Sequence, residues 1–186
     1  MKWCSIFILL FLSGCTYVVE QTRLSTPMQV KEFNSIASKY YTRPTFAALN
    51  KKSNGSYSLI VQVDTYKSSP SGLRSLIGFG QDHANQYITY IDKYLKWEKL
   101  ARSRKDQFEK KIGSASDSTG LVDLTFSFYS GNQYNHLLEI ATCNLMCTDE
   151  SSHHYYDVAN AKHLRSLLVR LRDGKIKSTN INQIYN

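Results

Sequence analysis

The sequence predicts an α+β fold: a small antiparallel sheet of three to four strands packed against a long central helix and a C-terminal amphipathic helix, with an extra N-terminal helix. Three patterns carry that expectation. Val122, Leu124, Phe126 and Phe128 alternate with Asp123, Thr125 and Ser127, the two-residue period of a half-buried strand. Apolar residues recur at helical spacing from about Asp82 to Ile112, and again from Ala161 to Leu171. Turn-forming clusters rich in Ser, Gly and Asn separate these stretches.

The N-terminal helix is expected to open at Thr26-Pro27-Met28-Gln29. Thr26 can cap, Pro27 suits the first helical position and Gln29 completes a capping-box pattern. Val30, Phe33, Ala37 and Tyr40 then share a face, and Arg43-Pro44 ends the helix, because the residue before proline is pushed out of the α region. After the turn-like Ser53-Asn54-Gly55-Ser56, Tyr57 to Tyr66 alternates as a strand. Ser68 to Gly80 reads as a loop. Its Gly78-Phe79-Gly80 lacks the third glycine and the leading strand of a phosphate-binding turn.

The long helix carries Ala84, Tyr87, Ile88, Ile91, Tyr94, Leu95, Trp97, Phe108 and Ile112 around one broad face, as one helix or as two broken near Ala101. Asp92 with Lys96, Glu98 with Arg102 and Asp106 with Lys110 sit at i,i+4 and mark a solvated face. Beyond the Ser/Gly connection at Gly113 to Gly120, the strand through Phe128 ends in a turn at Ser130-Gly131-Asn132. Asn135 to Thr142 is its partner, with the register left open by the adjacent Leu137-Leu138. A short strand at His154 to Val158 follows. Ala161, Leu164, Leu167, Leu168 and Leu171 stripe the closing helix, and Gly174 suits its stop.

The chain has 186 residues, a formal net charge of +8 and four cysteines. Lys2 precedes the apolar run Ile6-Phe7-Ile8-Leu9-Leu10-Phe11-Leu12, which Ser13-Gly14 closes. This is the order of a secretory signal, and the run is shorter than the roughly 20 residues a membrane span needs. Leu12-Ser13-Gly14-Cys15 resembles the lipobox of bacterial lipoproteins at all four positions. The resemblance implies thioether lipidation of Cys15, cleavage before it and acylation of the new terminus. Thr16, rather than Asp, follows the cysteine, which in that family points to the outer membrane, facing the periplasm.

Residues 1–14 are therefore expected to be a signal peptide, 15–26 the lipidated cysteine and a tether, 27–174 one globular domain and 175–186 a polar tail. Removing 14 of 186 residues leaves 172, enough for one domain. Lys2 leaves with the signal, so the charge becomes +7. Basic surfaces attract nucleic acid, anionic lipid or acidic proteins. A tethered domain outside the cytoplasm meets no nucleic acid, so the expected partners are the membrane, through the lipid, and an envelope protein.

Cys143 and Cys147 are the thiols left once Cys15 is lipidated and Cys4 is discarded, and in an oxidising compartment they read first as a local disulfide. The alternative is a metal site drawing on Cys143, Cys147, His153, His154 and His136. Against it, C-x₃-C is atypical for structural zinc and adjacent histidines on a strand point to opposite faces. No G-x-S-x-G elbow presents a serine nucleophile, Cys147 beside His153 or His154 is the one thiolate pair to consider, and Asp149-Glu150 reads as a solvated turn. Thirteen tyrosines, including the pairs Tyr40-Tyr41 and Tyr155-Tyr156, offer apolar rings with hydrogen-bonding tips.

The functional expectation is a non-catalytic accessory or binding lipoprotein of an envelope assembly of the secretion, exclusion or immunity type, with no cofactor. The rivals are an envelope hydrolase or metal-dependent enzyme using the Cys/His region, and a cell-wall-binding lipoprotein using exposed tyrosines.

Overall fold

The structure, a computed structural model, describes residues 16–65, 75–143 and 153–176. It overturns the expected fold class. Among the described residues there are ten strands in two antiparallel sheets, with only two α-helices. The smaller sheet runs β1 (Val18–Leu24), β4 (Thr45–Lys52), β5 (Tyr57–Val63), β6 (Ser75–Gly80). The larger runs β3 (Lys39–Arg43), β2 (Val30–Asn34), β10 (His153–Tyr156), β9 (Asn135–Cys143), β8 (Asp123–Asn132), β7 (Glu109–Ser116).

The N-terminal third accounts for most of the correction. The expected helix from Thr26 to Tyr40 is instead a hairpin, with Val30 opposite Arg43 and Asn34 opposite Lys39. The expected tether is largely β1, paired with β4 from Leu24↔Ala47 to Val18↔Lys52. β1 with β2, and β3 with β4, thus form a two-stranded ribbon whose halves belong to different sheets. Pro44 marks the crossing: it has no N–H to give to a ladder, and its carbonyl accepts from Asp64 N at 3.1 Å. Val30 N is satisfied by Thr45 Oγ1 at 2.9 Å. Val, Phe, Tyr and Thr in this stretch favour strands, and no run of strong helix formers opposes them.

The loop expected at Gly78-Phe79-Gly80 is strand β6, paired in register with Ser58, Leu59 and Ile60 of β5. A Cβ at Gly78 would stand 2.2 Å from Ser118 Oγ, so glycine here admits the loop that follows β7. A short 3-10 turn, Gln81–His83, leads into α1 (Ala84–Arg104). That helix is shorter than expected. It ends in the left-handed Lys105, with φ 60°, so Phe108 and Ile112 belong to β7 and its approach, not to a helix.

Of the three expected i,i+4 ion pairs, Glu98 with Arg102 forms, though on a buried carboxylate, and the other two acids take different partners. Asp92 pairs with Arg165 at 2.5 and 2.9 Å, Asp106 with Arg104 at 2.7 Å, and Glu98, bound to Arg102 Nε at 2.7 Å, is buried.

The strands at Tyr57, Val122 and Asn135 and the C-terminal helix stand near their expected places, and β9 acquires a definite register. Phe128 faces Leu138 and Tyr129 faces Leu137, so the two adjacent leucines lie on opposite faces of the sheet. Asn132 Oδ1 closes the β8–β9 turn by accepting from Tyr134 N and Asn135 N at 2.9 and 3.0 Å. α2 (Val158–Arg172) is capped by Asp157, whose carboxylate accepts from Asn160 N at 3.0 Å, and it buries all five residues of its leucine-rich stripe.

The helices pack on each other. α1 covers β7, β8 and β9, while α2 reaches β5 of one sheet and β9 and β10 of the other, uniting both sheets in a single core. Three tyrosines of α1 stitch it to the larger sheet. Tyr87 and Tyr90 donate to Ser116 O and Ser114 O of β7, and Tyr94 donates to His136 O of β9 at 3.0 Å. Tyr87 and Tyr94 are fully buried by this packing, as is Tyr156 on β10. No helix among the described residues is long and apolar enough to cross a membrane.

Candidate functional site

Because both helices lie on the inner side, the opposite face of the six-stranded sheet is free of them. In an antiparallel ladder, residues directly opposite one another share a face. The pairings Tyr129↔Leu137, Ser127↔Glu139↔Tyr155↔Lys31 and Phe33↔Tyr40 therefore place Phe33, Tyr40, Tyr129, Glu139, His153 and Tyr155 on this outer face, drawn from five strands.

Their rings form one cluster. Tyr40 lies 5.0 Å from Tyr155, 5.1 Å from Phe33 and 6.0 Å from Tyr129, centroid to centroid, and Tyr129 lies 5.8 Å from Tyr155. Most contacts are tilted or edge-on, the geometry that ring quadrupoles favour. Beside them opens a cleft of about 370 Å³ lined by Lys31, Phe33, Tyr40, Tyr129, His153 and Tyr155 among others.

Glu139 is the polar centre of the cluster. It is buried, and its Oε1 lies 2.7 Å from His153 Nδ1. Burial alone would push its pKa up, but hydrogen bonds from His153 and Tyr155 outweigh it and hold the carboxyl below its ordinary range. Tyr155 is pushed the other way, by burial and by the adjacent Glu139 carboxylate. Tyr40 is likewise raised, by burial and by its hydrogen bond to Tyr129. The face thus combines a fixed carboxylate, an imidazole and phenolic O–H groups that stay protonated at neutral pH. It can accept and donate hydrogen bonds and stack on flat or apolar surfaces.

The other histidines expected near a metal or a nucleophile point elsewhere. His154, one residue from His153 on β10, faces the interior, where Nε2 lies 2.8 Å from Ser75 Oγ and Nδ1 lies 3.5 Å from the Tyr156 hydroxyl. The Ser75–His154 spacing is that of a nucleophile–base pair. Yet His154 is only 1% exposed and burial lowers its pKa to about 3, so at neutral pH it is a weak base out of a substrate's reach. His136 lies on the inner side of β9, with Nδ1 2.9 Å from Ser130 Oγ and its ring 5.3 Å from Phe128. Burial lowers its pKa too.

Among the described residues no group of three or more His, Cys, Asp or Glu is arranged to hold a metal ion. Cys143 ends β9, opposite Asp123. Cys15, Cys147, Asp149 and Glu150 lie outside the described residues, and with them the lipidation site, the disulfide and the Cys/His site.

The sequence pointed to Tyr40, Tyr155 and His153 singly but missed Glu139, Tyr129 and Phe33 as their companions. The missing step was the register of β9. With Leu138 opposite Phe128, Glu139 and Tyr129 fall on the same side as Tyr155. Tyr41 stands exposed on the other side of β3, and Tyr156 is wholly buried. Comparison of the chain with protein-family models, with curated proteins and with solved structures yields no match.

Proposed function

We propose that this chain is a lipid-anchored protein of a bacterial cell envelope, held through Cys15 at the outer membrane and facing the periplasm, whose domain binds an envelope protein without catalysing a reaction. Leu12-Ser13-Gly14-Cys15 behind an apolar run supports the anchor. The observation that carries the binding role is the outer-face cluster of Phe33, Tyr40, Tyr129 and Tyr155 around the buried Glu139–His153 pair. Aromatic side chains with polar tips are enriched at the centres of protein interfaces, and a preformed, mutually packed set loses little entropy on docking.

The anchor is tested by the mass of the mature amino terminus. A diacylglyceryl, N-acylated Cys15 is expected, and an unmodified Cys15 or an intact Met1 refutes it. The binding face is tested by placing a photo-crosslinking residue at Phe33 in cells and, separately, at Leu100 on the far side of the domain. A discrete adduct from position 33 that disappears in the Tyr129→Ala/Tyr155→Ala double variant is expected. Adducts of equal yield from both positions count against the face.

The same aromatic face also suits cell-wall glycan, since tyrosine rings stack on sugar faces. Retention by purified peptidoglycan at low salt, lost in the same double variant, moves the assignment to that partner.

A further inference from the structure

A second surface lies at the point where the described chain begins. Tyr17 is pinned to the β4–β5 turn, its N–H donating to Ser53 Oγ at 3.2 Å and its carbonyl accepting from Ser53 N at 2.8 Å. Val18 is already paired with Lys52 of β4. Cys15 precedes Val18 by three Cα steps, at most about 11 Å. No slack tether separates position 15 from the domain.

Next to this point the outer face of the four-stranded sheet forms a concavity of about 820 Å³ beginning at Thr16. Tyr17, Val18, Leu76 and Leu121 all line it and are 66%, 48%, 52% and 87% exposed, beside Ile60 and polar residues that include Lys52 and Asp117. Leu121 is held out deliberately by its loop. Ser118 N donates to Gly78 O at 2.9 Å, Lys52 Nζ donates to Ser118 O, and Asp117 Oδ1 accepts from Thr119 N and Gly120 N at 2.9 Å. One exposed apolar side chain needs no explanation, but four around a single concavity mark an interaction surface.

We infer that this face rests on the bilayer, with Tyr17, Val18, Leu76 and Leu121 as its interfacial contacts. The inference rests on the lipid anchor at Cys15 proposed above. Acyl chains on Cys15 enter the hydrocarbon, so Val18 lies within about 11 Å of the membrane surface whatever the domain's orientation. The orientation that turns these four exposed apolar side chains toward the lipid hides them from water, while Lys52 and the Tyr17 ring with its polar tip suit headgroup depth. The aromatic cluster, on the other sheet, remains available to a partner.

The test uses the full-length chain processed in bacteria and reconstituted into phosphatidylcholine/phosphatidylglycerol vesicles whose acyl chains carry bromine, a contact quencher of tryptophan. Leu121→Trp reports from the proposed face and Leu100→Trp, on α1, from the domain's other side. Both sites are exposed, so neither exchange disturbs packing, and the parent, whose Trp97 is partly buried among Phe108 and Phe128, is the blank.

The added emission of L121W is expected to fall about twofold relative to unbrominated vesicles, as for a side chain seated several ångströms into the interface. That of L100W is expected to hold. Equal quenching at both positions, or none at position 121 in protein whose amino-terminal mass shows acylated Cys15, overturns the docking and leaves the anchor standing. An unmodified Cys15 overturns both.

Discussion

Lowering the pH from 7 to 5 should destabilise this protein through His154. The side chain is buried against Ser75 and Tyr156, and its folded pKa is lowered from 6.5 to about 3 by burial, with a smaller contribution from neighbouring His153. In the unfolded chain the imidazole takes up a proton as pH falls through about 6.5, whereas the folded protein refuses it until pH approaches 3. The neutral form therefore contributes its full stability above pH 6.5. Between 6.5 and 3 the difference is lost at about 1.4 kcal/mol per pH unit, or about 2 kcal/mol by pH 5.

Urea unfolding followed by Trp97 fluorescence at pH 7 and pH 5 measures this loss. With a slope of about 2 kcal/mol per M, the midpoint should fall by about 1 M. His154→Gln keeps a hydrogen-bonding group near Ser75 but does not titrate. It should start less stable at pH 7 and lose about 2 kcal/mol less than the parent on acidification. If parent and variant respond alike to pH, His154 is not the buried neutral group described here.

Other outcomes follow from packing. Gly113→Ala should cost about 1–3 kcal/mol, because a Cβ there would lie 2.4 Å from the Tyr90 ring. The midpoint should recover in part when Tyr90→Leu is added. Asp157→Ala removes the cap of α2 and the Lys31 ion pair, and should lower stability by about 0.5–2 kcal/mol in thermal or urea unfolding. Phe128→Ala should cost about 3–5 kcal/mol and shift Trp97 emission to the red, since Phe128 packs against Tyr94, Trp97 and Phe108. Glu139→Gln keeps the shape of the outer face but removes the charge whose folded pKa is depressed. Its stability difference from the parent should therefore be largest above pH 4.5 and shrink as pH falls below it.

The elements that were legible in the sequence are those whose neighbours repeat one pattern over many residues. β8 alternates cleanly because one face meets α1 and the other does not. α2 is read correctly because its leucine stripe is buried along its whole length. The N-terminal ribbon hid itself in two ways. Val30, Phe33 and Tyr40 fall at helical spacing by coincidence, since Val30 and Phe33 point to opposite faces of β2 while Tyr40 belongs to the next strand. The turn between those strands contains no glycine, its left-handed position being Ser38 with φ 51°. Its one local signal is Asn34, whose side chain accepts from Ala37 N at 2.9 Å. β1 gives no alternation because none of its residues is buried, and β6 gives none because Gly78 and Gly80 interrupt its apolar residues although Ser75, Ile77 and Phe79 share a buried face. The outer-face cluster gathers side chains from five strands, so no single window of sequence contains it.

Because α2 follows every strand of both sheets along the described chain, it sets the order in which the fold is completed. This helix reaches β5 in one sheet and β9 and β10 in the other, so until residue 158 and its successors have emerged, neither sheet has its full cover. A chain halted before Val158 would keep the cover that α1 gives β7, β8 and β9 but leave the apolar residues beneath α2 bare, material for aggregation and for proteolysis. Completion of the two layers thus waits for α2, and damage to that helix is felt through both sheets.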